Sequence, residues 1–130
     1  MSESISNFIT IIRNASRARK DTCTAKFSKM HQSIAEILKR EGYISEFGTG
    51  TDDNGHKNLV ITLKYVDDEP AITDIQRVSK PGRRLYYKAK DIPRVLGGLG
   101  TGILTTNQGI MRDRDARRNN IGGEMVCAVW

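Results

Sequence analysis

Cysteine is scarce in this 130-residue sequence: Cys23 and Cys127 are the only two, 104 positions apart. A pair so placed excludes a disulfide-stapled small scaffold and fits a reducing compartment, with both residues expected as buried free thiols. Long hydrophobic runs are missing too, and nothing approaches the roughly 18 uninterrupted apolar residues that would cross a bilayer. The opening MSESISNFITIIRN has no basic region followed by an apolar block, so the expected location is the cytoplasm, with no membrane partner. Histidine is limited to His31 and His56, neither with a second histidine or a cysteine at ligand spacing, so no metal is expected. No local set of nucleophile, base and orienting group stands out, so no catalytic residue, cofactor or small-molecule substrate is expected and the chain reads as a non-enzyme. The glycines at 97, 98, 100 and 102 are followed by Ile103 and Leu104 rather than the Lys and Ser or Thr of a phosphate loop. A tight turn needing positive φ is the better reading of that cluster.

What the chain does have is basic charge, unevenly spread. The whole carries 21 Lys and Arg against 15 Asp and Glu, a formal +6. Residues 1–29 hold six basic and two acidic side chains, and residues 30–76 hold four and nine, giving +4 and then −5. Residues 77–118 hold eleven basic and three acidic side chains, +8, and Glu124 brings the sum back to +6. Segregation of this kind suits one face that meets phosphate while another stays in solvent.

Periodicity divides the chain into an α+β arrangement of two small domains. Ile5, Phe8, Ile9 and Ile12 fall on one helix face, with Ser4 available as a cap. Arg13, Asn14 and Arg17 stand on the other side, either as solvated positions or as the edge of a binding surface. Alternation from Thr22 to Phe27 predicts a strand, and Ser28 opens a second helix along Met30, Ile34, Ile37 and Leu38 that Gly42 can close. Tyr43–Phe47 and Asn58–Tyr65 read as a hairpin around the turn GTGTDDNGH. VDDEPA, residues 66–71, breaks both periods and marks a linker, its acidic cluster read as solvated. The expected division is therefore an N-terminal two-helix-on-sheet α/β domain over 1–68 and a C-terminal β-rich domain with a short helix over 69–130. In the latter, Pro93 could open a short helix with Val95 and Leu96, GILTT suggests a strand, Asp113 could cap the basic helix RDARRN, and Glu124–Trp130 alternates as a last strand.

Two segments of the second half carry chemistry suited to RNA. KPGRRLYYK, residues 80–88, makes a Pro81–Gly82 turn flanked by Lys80, Arg83 and Arg84 and followed by Tyr86 and Tyr87. Cations neutralise phosphate and rings stack on bases, although on a strand one of the two tyrosines must face the core. TTNQGIMRDRDARR, residues 105–118, offers neutral donors and acceptors at Thr105, Thr106, Asn107 and Gln108, then Gly109, then Arg112, Arg114, Arg117 and Arg118. Such groups can reach base edges and the 2′-hydroxyl, or can simply cap and turn the chain.

Taken together, IIRNA (11–15), FSKMHQSIAEILKREGYI (27–44), IQRVSKPGRRLYYK (75–88), LGGLGTGILTTNQGIM (96–111), DARR (115–118) and IGGEMVCAVW (121–130) resemble, in order and spacing, the bacterial-type small-subunit ribosomal protein number eight family. The resemblance implies a non-catalytic structural constituent of the small ribosomal subunit that helps assemble the central domain of small-subunit ribosomal RNA by clamping an irregular helix. It further implies contact with neighbouring small-subunit ribosomal proteins, location in the ribosome of the cytoplasm or of an organellar stroma, and in some bacteria repression of its own operon through a similar messenger fold. The family's diagnostic loop reads serine-threonine-serine-lysine-glycine where this chain has Thr105 to Gly109. Gln108 thus loses a charge that Arg112 could restore nearby. Gly122, Gly123 and Glu124 match the family's approach to the same RNA region. The RNA-binding set expected from all of this is Arg13, Asn14, Lys80, Arg83, Arg84, Tyr86, Thr105, Thr106, Asn107, Gln108, Gly109, Gly122, Gly123 and Glu124.

Overall fold

A computed structural model describes residues 2–130, with side chains from Ser4 onward. Backbone contacts gather Glu3–Thr73 into one unit and Asp74–Trp130 into another.

In the first unit, helix α1 (Ser2–Arg17) buries Ile5, Phe8, Ile9 and Ile12, as their spacing predicts. Each such apolar side chain taken from water stabilises by roughly 1.5–3 kcal/mol. Ser4 lies inside this helix and is not its cap. Its hydroxyl instead meets Nε2 of the buried His31, 3.1 Å away. Nδ1 of His31 lies 2.9 Å from the Lys26 carbonyl, which can only accept, so Nδ1 carries a hydrogen. The ring also stacks on Phe8 with centroids 4.4 Å apart.

Strand β1 (Thr22–Lys26) precedes helix α2 (Lys29–Arg40), whose N-cap is Ser28, its side chain accepting from the His31 amide at 3.0 Å. Helix α2 ends in a Schellman pair: Gly42 N–H to Lys39 C=O and Tyr43 N–H to Leu38 C=O. Strands β2 (Ile44–Thr51) and β3 (Lys57–Leu63) form the hairpin, with sheet order β1-β3-β2, all antiparallel. Pairing runs as far as Thr51↔Lys57. The polar GTGT expected in the turn is therefore strand, because on an edge strand with exposed faces ladder hydrogen bonds need no apolar side chain.

The acidic VDDEPA segment is likewise structured. Strands β4 (Tyr65–Val66) and β5 (Glu69–Pro70) pair across Asp67 and Asp68, both at positive φ, the geometry of a two-residue hairpin turn. Arg19 donates to the Asp68 carbonyl and lies 3.6 Å from Glu69, and the Tyr65 hydroxyl donates to the Lys20 carbonyl at 2.6 Å.

In the second unit, β6 (Ile75–Arg77), β7 (Tyr86–Tyr87), β8 (Thr101–Thr106), β9 (Gly109–Arg112) and β10 (Gly123–Val129) make an antiparallel sheet in the order β6-β10-β8-β9, with β7 also on β10. Ile92, Leu104, Ala116, Met125 and Ala128 form its core, joined by Val78, Tyr87, Val95, Met111 and Trp130. Where Pro93 was expected to open one helix, two 3₁₀ turns occur instead, Ala89–Asp91 and Val95–Gly98. Gly97 and Gly98 have φ of 64° and 105° and make the expected tight turn, whereas Gly100 and Gly102 are not at positive φ and serve close packing, since a side chain at Gly102 would strike Met125. Helix α3 (Asp113–Arg118) follows β9, and Asp113 is its first residue rather than its cap. Its carboxylate is turned inward, accepting from the Gly102 amide at 3.2 Å and from Arg117 at 2.7 Å.

Cys127 is buried and Cys23 half-buried, both free; burial pushes their thiols up to about 12 and about 11. Among the described residues no helix is long and apolar enough to cross a membrane.

Candidate nucleic-acid interface

Strand β10 is the spine of the site. At its start, Gly123 pairs with Tyr87 and Glu124 with Tyr86 on one side, while Glu124 pairs with Thr105 on the other. A side chain at Gly123 would strike the Thr105 carbonyl, and one at Gly122 would come within 2.5 Å of the Tyr87 carbonyl, so glycine lets three backbones converge. The result is a groove of about 660 Å³ with Tyr86, Thr105, Thr106, Asn107, Gln108, Gly122, Gly123 and Glu124 on its walls.

The hairpin β8–β9 turns on Asn107 and Gln108, with Gly109 at φ 101°. Thr106 closes this turn, its hydroxyl donating to the Gly109 carbonyl at 2.8 Å and accepting from the Gln108 amide at 3.1 Å. That hydroxyl is thereby committed to loop shape, and Asn107 and Gln108 are the exposed groups at the tip. The Thr105 hydroxyl is buried and has no hydrogen-bond partner among the described residues, which costs free energy. The uncertainty over the two tyrosines is resolved by burial: Tyr87 packs on the core, while Tyr86 is 69% exposed.

The strap from Ser79 to Arg84 is pinned beside β10. Lys80 and Arg83 exchange both backbone hydrogen bonds around Pro81–Gly82, leaving their side chains in solvent. Arg84 donates to Glu124 Oε2 at 2.9 Å, and the buried Ser79 hydroxyl donates to the same oxygen. Burial alone would raise the Glu124 carboxyl. The hydrogen bonds from Ser79 and Arg84, with the charges of Arg84 and Arg77, outweigh it and hold the group below the ordinary carboxylate value. Glu124 in turn pushes Arg84 up, whereas burial and the neighbouring Arg84 push Arg77 down.

The arginines of α3 are arranged otherwise than their sequence suggests. Arg112 grips Asp115 with two hydrogen bonds at 2.8 and 2.9 Å, Arg118 shares that carboxylate at 2.7 Å, and Arg117 holds Asp113. Arg112 therefore does not restore the charge missing at Gln108. Three residues absent from the expected set, Asn119, Asn120 and Ile121, also line the groove. Asn120 adopts positive φ after α3, where its N–H bonds Arg117 C=O and the Ile121 N–H bonds Ala116 C=O, the same Schellman pair that ends α2. An Asn pair just past a short basic helix was the available sequence signal. Arg13 and Asn14 belong to α1 of the first unit, Arg13 half-buried and Asn14 exposed.

The family model described as "Ribosomal protein S8" matches residues 3–130. The chain belongs to the ribosomal protein S8 family. It is similar to the "Small ribosomal subunit protein uS8" of Opitutus terrae, 56% identical over 130 residues and covering all of both chains. The protein of the same name from Chloroflexus aurantiacus is 49% identical over 131 residues, all of this chain and 98% of that one. The Synechococcus sp. counterpart is 48% identical with the same coverage. The S8 family is one of ribosomal proteins, and by that membership the chain is not an enzyme.

Proposed function

We propose that this protein is a structural constituent of the small ribosomal subunit that binds small-subunit ribosomal RNA through residues 69–130 and supports assembly of the RNA's central domain. The observation that carries the reading is the groove beside β10: uncharged hydrogen-bonding groups line it and the Tyr86 ring is exposed at its wall. Neutral donors and acceptors read base edges and sugar hydroxyls, whereas cations give sequence-independent attraction to phosphate. Lys80 and Arg83 supply the second kind of contact, and Arg13 and Asn14 of α1 are assigned to the RNA-facing set as well. Neighbouring small-subunit ribosomal proteins are the expected protein partners, and the ribosome is the expected location. A messenger fold with the same irregular helix would fit the same groove, which makes repression of the protein's own operon a second use of one site.

The direct test is sedimentation of the native protein with small ribosomal subunits through a high-salt gradient, combined with binding to deproteinised small-subunit RNA. Comigration and saturable binding are expected. A protein that stays at the top of the gradient and binds the RNA no better than an unrelated transcript would end this reading.

A further inference from the structure

The interior of the strap contains one polar side chain whose hydrogen bonds are directional by necessity. Ser79 is 1% exposed, and its N–H bonds the Met125 carbonyl at 3.0 Å. The Leu85 amide donates to its hydroxyl at 3.1 Å. A hydroxyl has a single hydrogen, and that of Ser79 is directed to Glu124 Oε2. Arg84 reaches the same oxygen but is 45% exposed along its side chain, so an incoming phosphate can draw it away. Ser79 has nowhere else to go.

Resting on the RNA-binding reading above, we propose that Ser79 is a positioning residue. It fixes the Glu124 carboxylate as a charged acceptor on the groove wall, so that the groove takes a donor of the RNA, a base amino group or a 2′-hydroxyl, and turns phosphate away. The charged groups facing Glu124 are Arg84 from the strap and Arg77 from β6. Tyr86 on β7 and Thr105 on β8 stand opposite it. A fixed anion repels phosphate at every orientation but welcomes an N–H or O–H, and this division of labour leaves phosphate to Lys80 and Arg83. Ser79 and Arg84 both hold Glu124 ionised, Ser79 by its hydrogen bond and Arg84 by its hydrogen bond and its charge.

The test is a cycle of four proteins, wild type, Ser79→Ala, Glu124→Gln and the double variant, each titrated with deproteinised small-subunit RNA from about pH 3 to 8, a range that reaches below the ordinary carboxylate value. Glu124→Gln is expected to lose affinity by about tenfold and Ser79→Ala by several-fold, the scale of one hydrogen bond to a charged group. Wild-type binding should weaken on the acid side as Glu124 gains its proton. Losing the Ser79 donor disfavours the ionised form, so in Ser79→Ala this acid limb moves to higher pH. With Gln at 124 the limb disappears, and adding Ser79→Ala should bring no further loss. Equal losses from Ser79→Ala in both backgrounds, with the acid limb unmoved, would overturn the positioning role while leaving the groove as the RNA site. Unchanged affinity in Glu124→Gln would overturn the placement of RNA at Glu124 and this proposal with it. Circular dichroism and Tm check the fold. Ser79→Cys, which keeps the volume but donates weakly, serves if the alanine variant does not fold, and failure of both to fold would make Ser79 a folding residue and refute the proposal.

Discussion

The strap 80–84 and the helix-bearing segment 112–118 are both arginine-rich, yet they present their charge in opposite ways. In the helix segment, Asp113 and Asp115 hold Arg112, Arg117 and Arg118 in ion pairs of 2.7 to 2.9 Å. In the strap, the side chains of Lys80 and Arg83 stand exposed on a rigid turn, and only Arg84 is tied to a carboxylate, across the sheet. Counting arginines therefore overstates the cationic face of α3. The guanidinium groups of Arg112, Arg117 and Arg118 stabilise the end of β9 and the joint with the 3₁₀ turn, where Arg117 also reaches the Ile92 carbonyl, while Arg114 stays exposed. Charge that is spent on an internal partner is less available to neutralise phosphate.

The sharpest way to break this comparison is to remove the buried acid. Asp113→Ala leaves Arg117, only 17% exposed, and the Gly102 amide without their partner. Loss of about 3 kcal/mol is expected, as for other broken buried pairs. Urea denaturation reads it, and a change under about 1 kcal/mol would show that Asp113 is dispensable. Next in size is the groove. Thr106→Ala combined with Asn107→Ala should reduce affinity for structured small-subunit RNA by about tenfold, through loss of turn closure and of one readout group. Filter binding with a regular duplex as control measures it, and equal weakening toward both RNAs would place the readout elsewhere.

Lys80→Ala with Arg83→Ala should flatten the salt dependence of binding, the slope falling by about one for each phosphate no longer neutralised, for structured and regular RNA alike. Arg117→Ala and Arg118→Ala should leave that slope nearly as it was. The reverse change sharpens the contrast most economically. Asp115→Asn frees Arg112 and Arg118, so non-specific RNA affinity should rise and the salt slope steepen, at a cost in stability because Arg112 and Asp115 are each only 18% exposed. A slope indifferent to Asp115→Asn would mean that these arginines already meet phosphate in spite of their carboxylate.

Much of the fold could be read from periodicity. The buried face of α1, the Ser28 cap, the alternation in β3 and the strand after Gly122 all follow from residue type at fixed spacing. Segments whose structure depends on backbone pairing alone were harder. GTGT in β2, and the Asp67–Asp68 turn between β4 and β5, carry polar side chains that look identical in a loop and on an exposed ladder. The walls of the groove were legible as residue types, since Thr105 to Gln108 and Tyr86 are the neutral and aromatic groups of the second half. Their individual tasks were not. That Thr106 serves the turn, that Thr105 is buried without a partner, and that Arg84 answers to Glu124 forty residues away are facts of three-dimensional approach. Ser79 carries no sequence signal for a related reason, because a serine before KPGRR looks like one more loop residue until its burial is known.

The central claim is that discrimination comes from uncharged groups and one fixed carboxylate, while general attraction comes from exposed cations. The most direct measurement is the ratio of affinities for structured small-subunit RNA and for a regular duplex of equal length, followed as salt is raised. Both affinities should fall while their ratio holds nearly constant, because the groove's selective contacts release few counterions. A ratio that collapses toward one at high salt would contradict the account, since it would make cation placement, and not the groove, the source of selectivity.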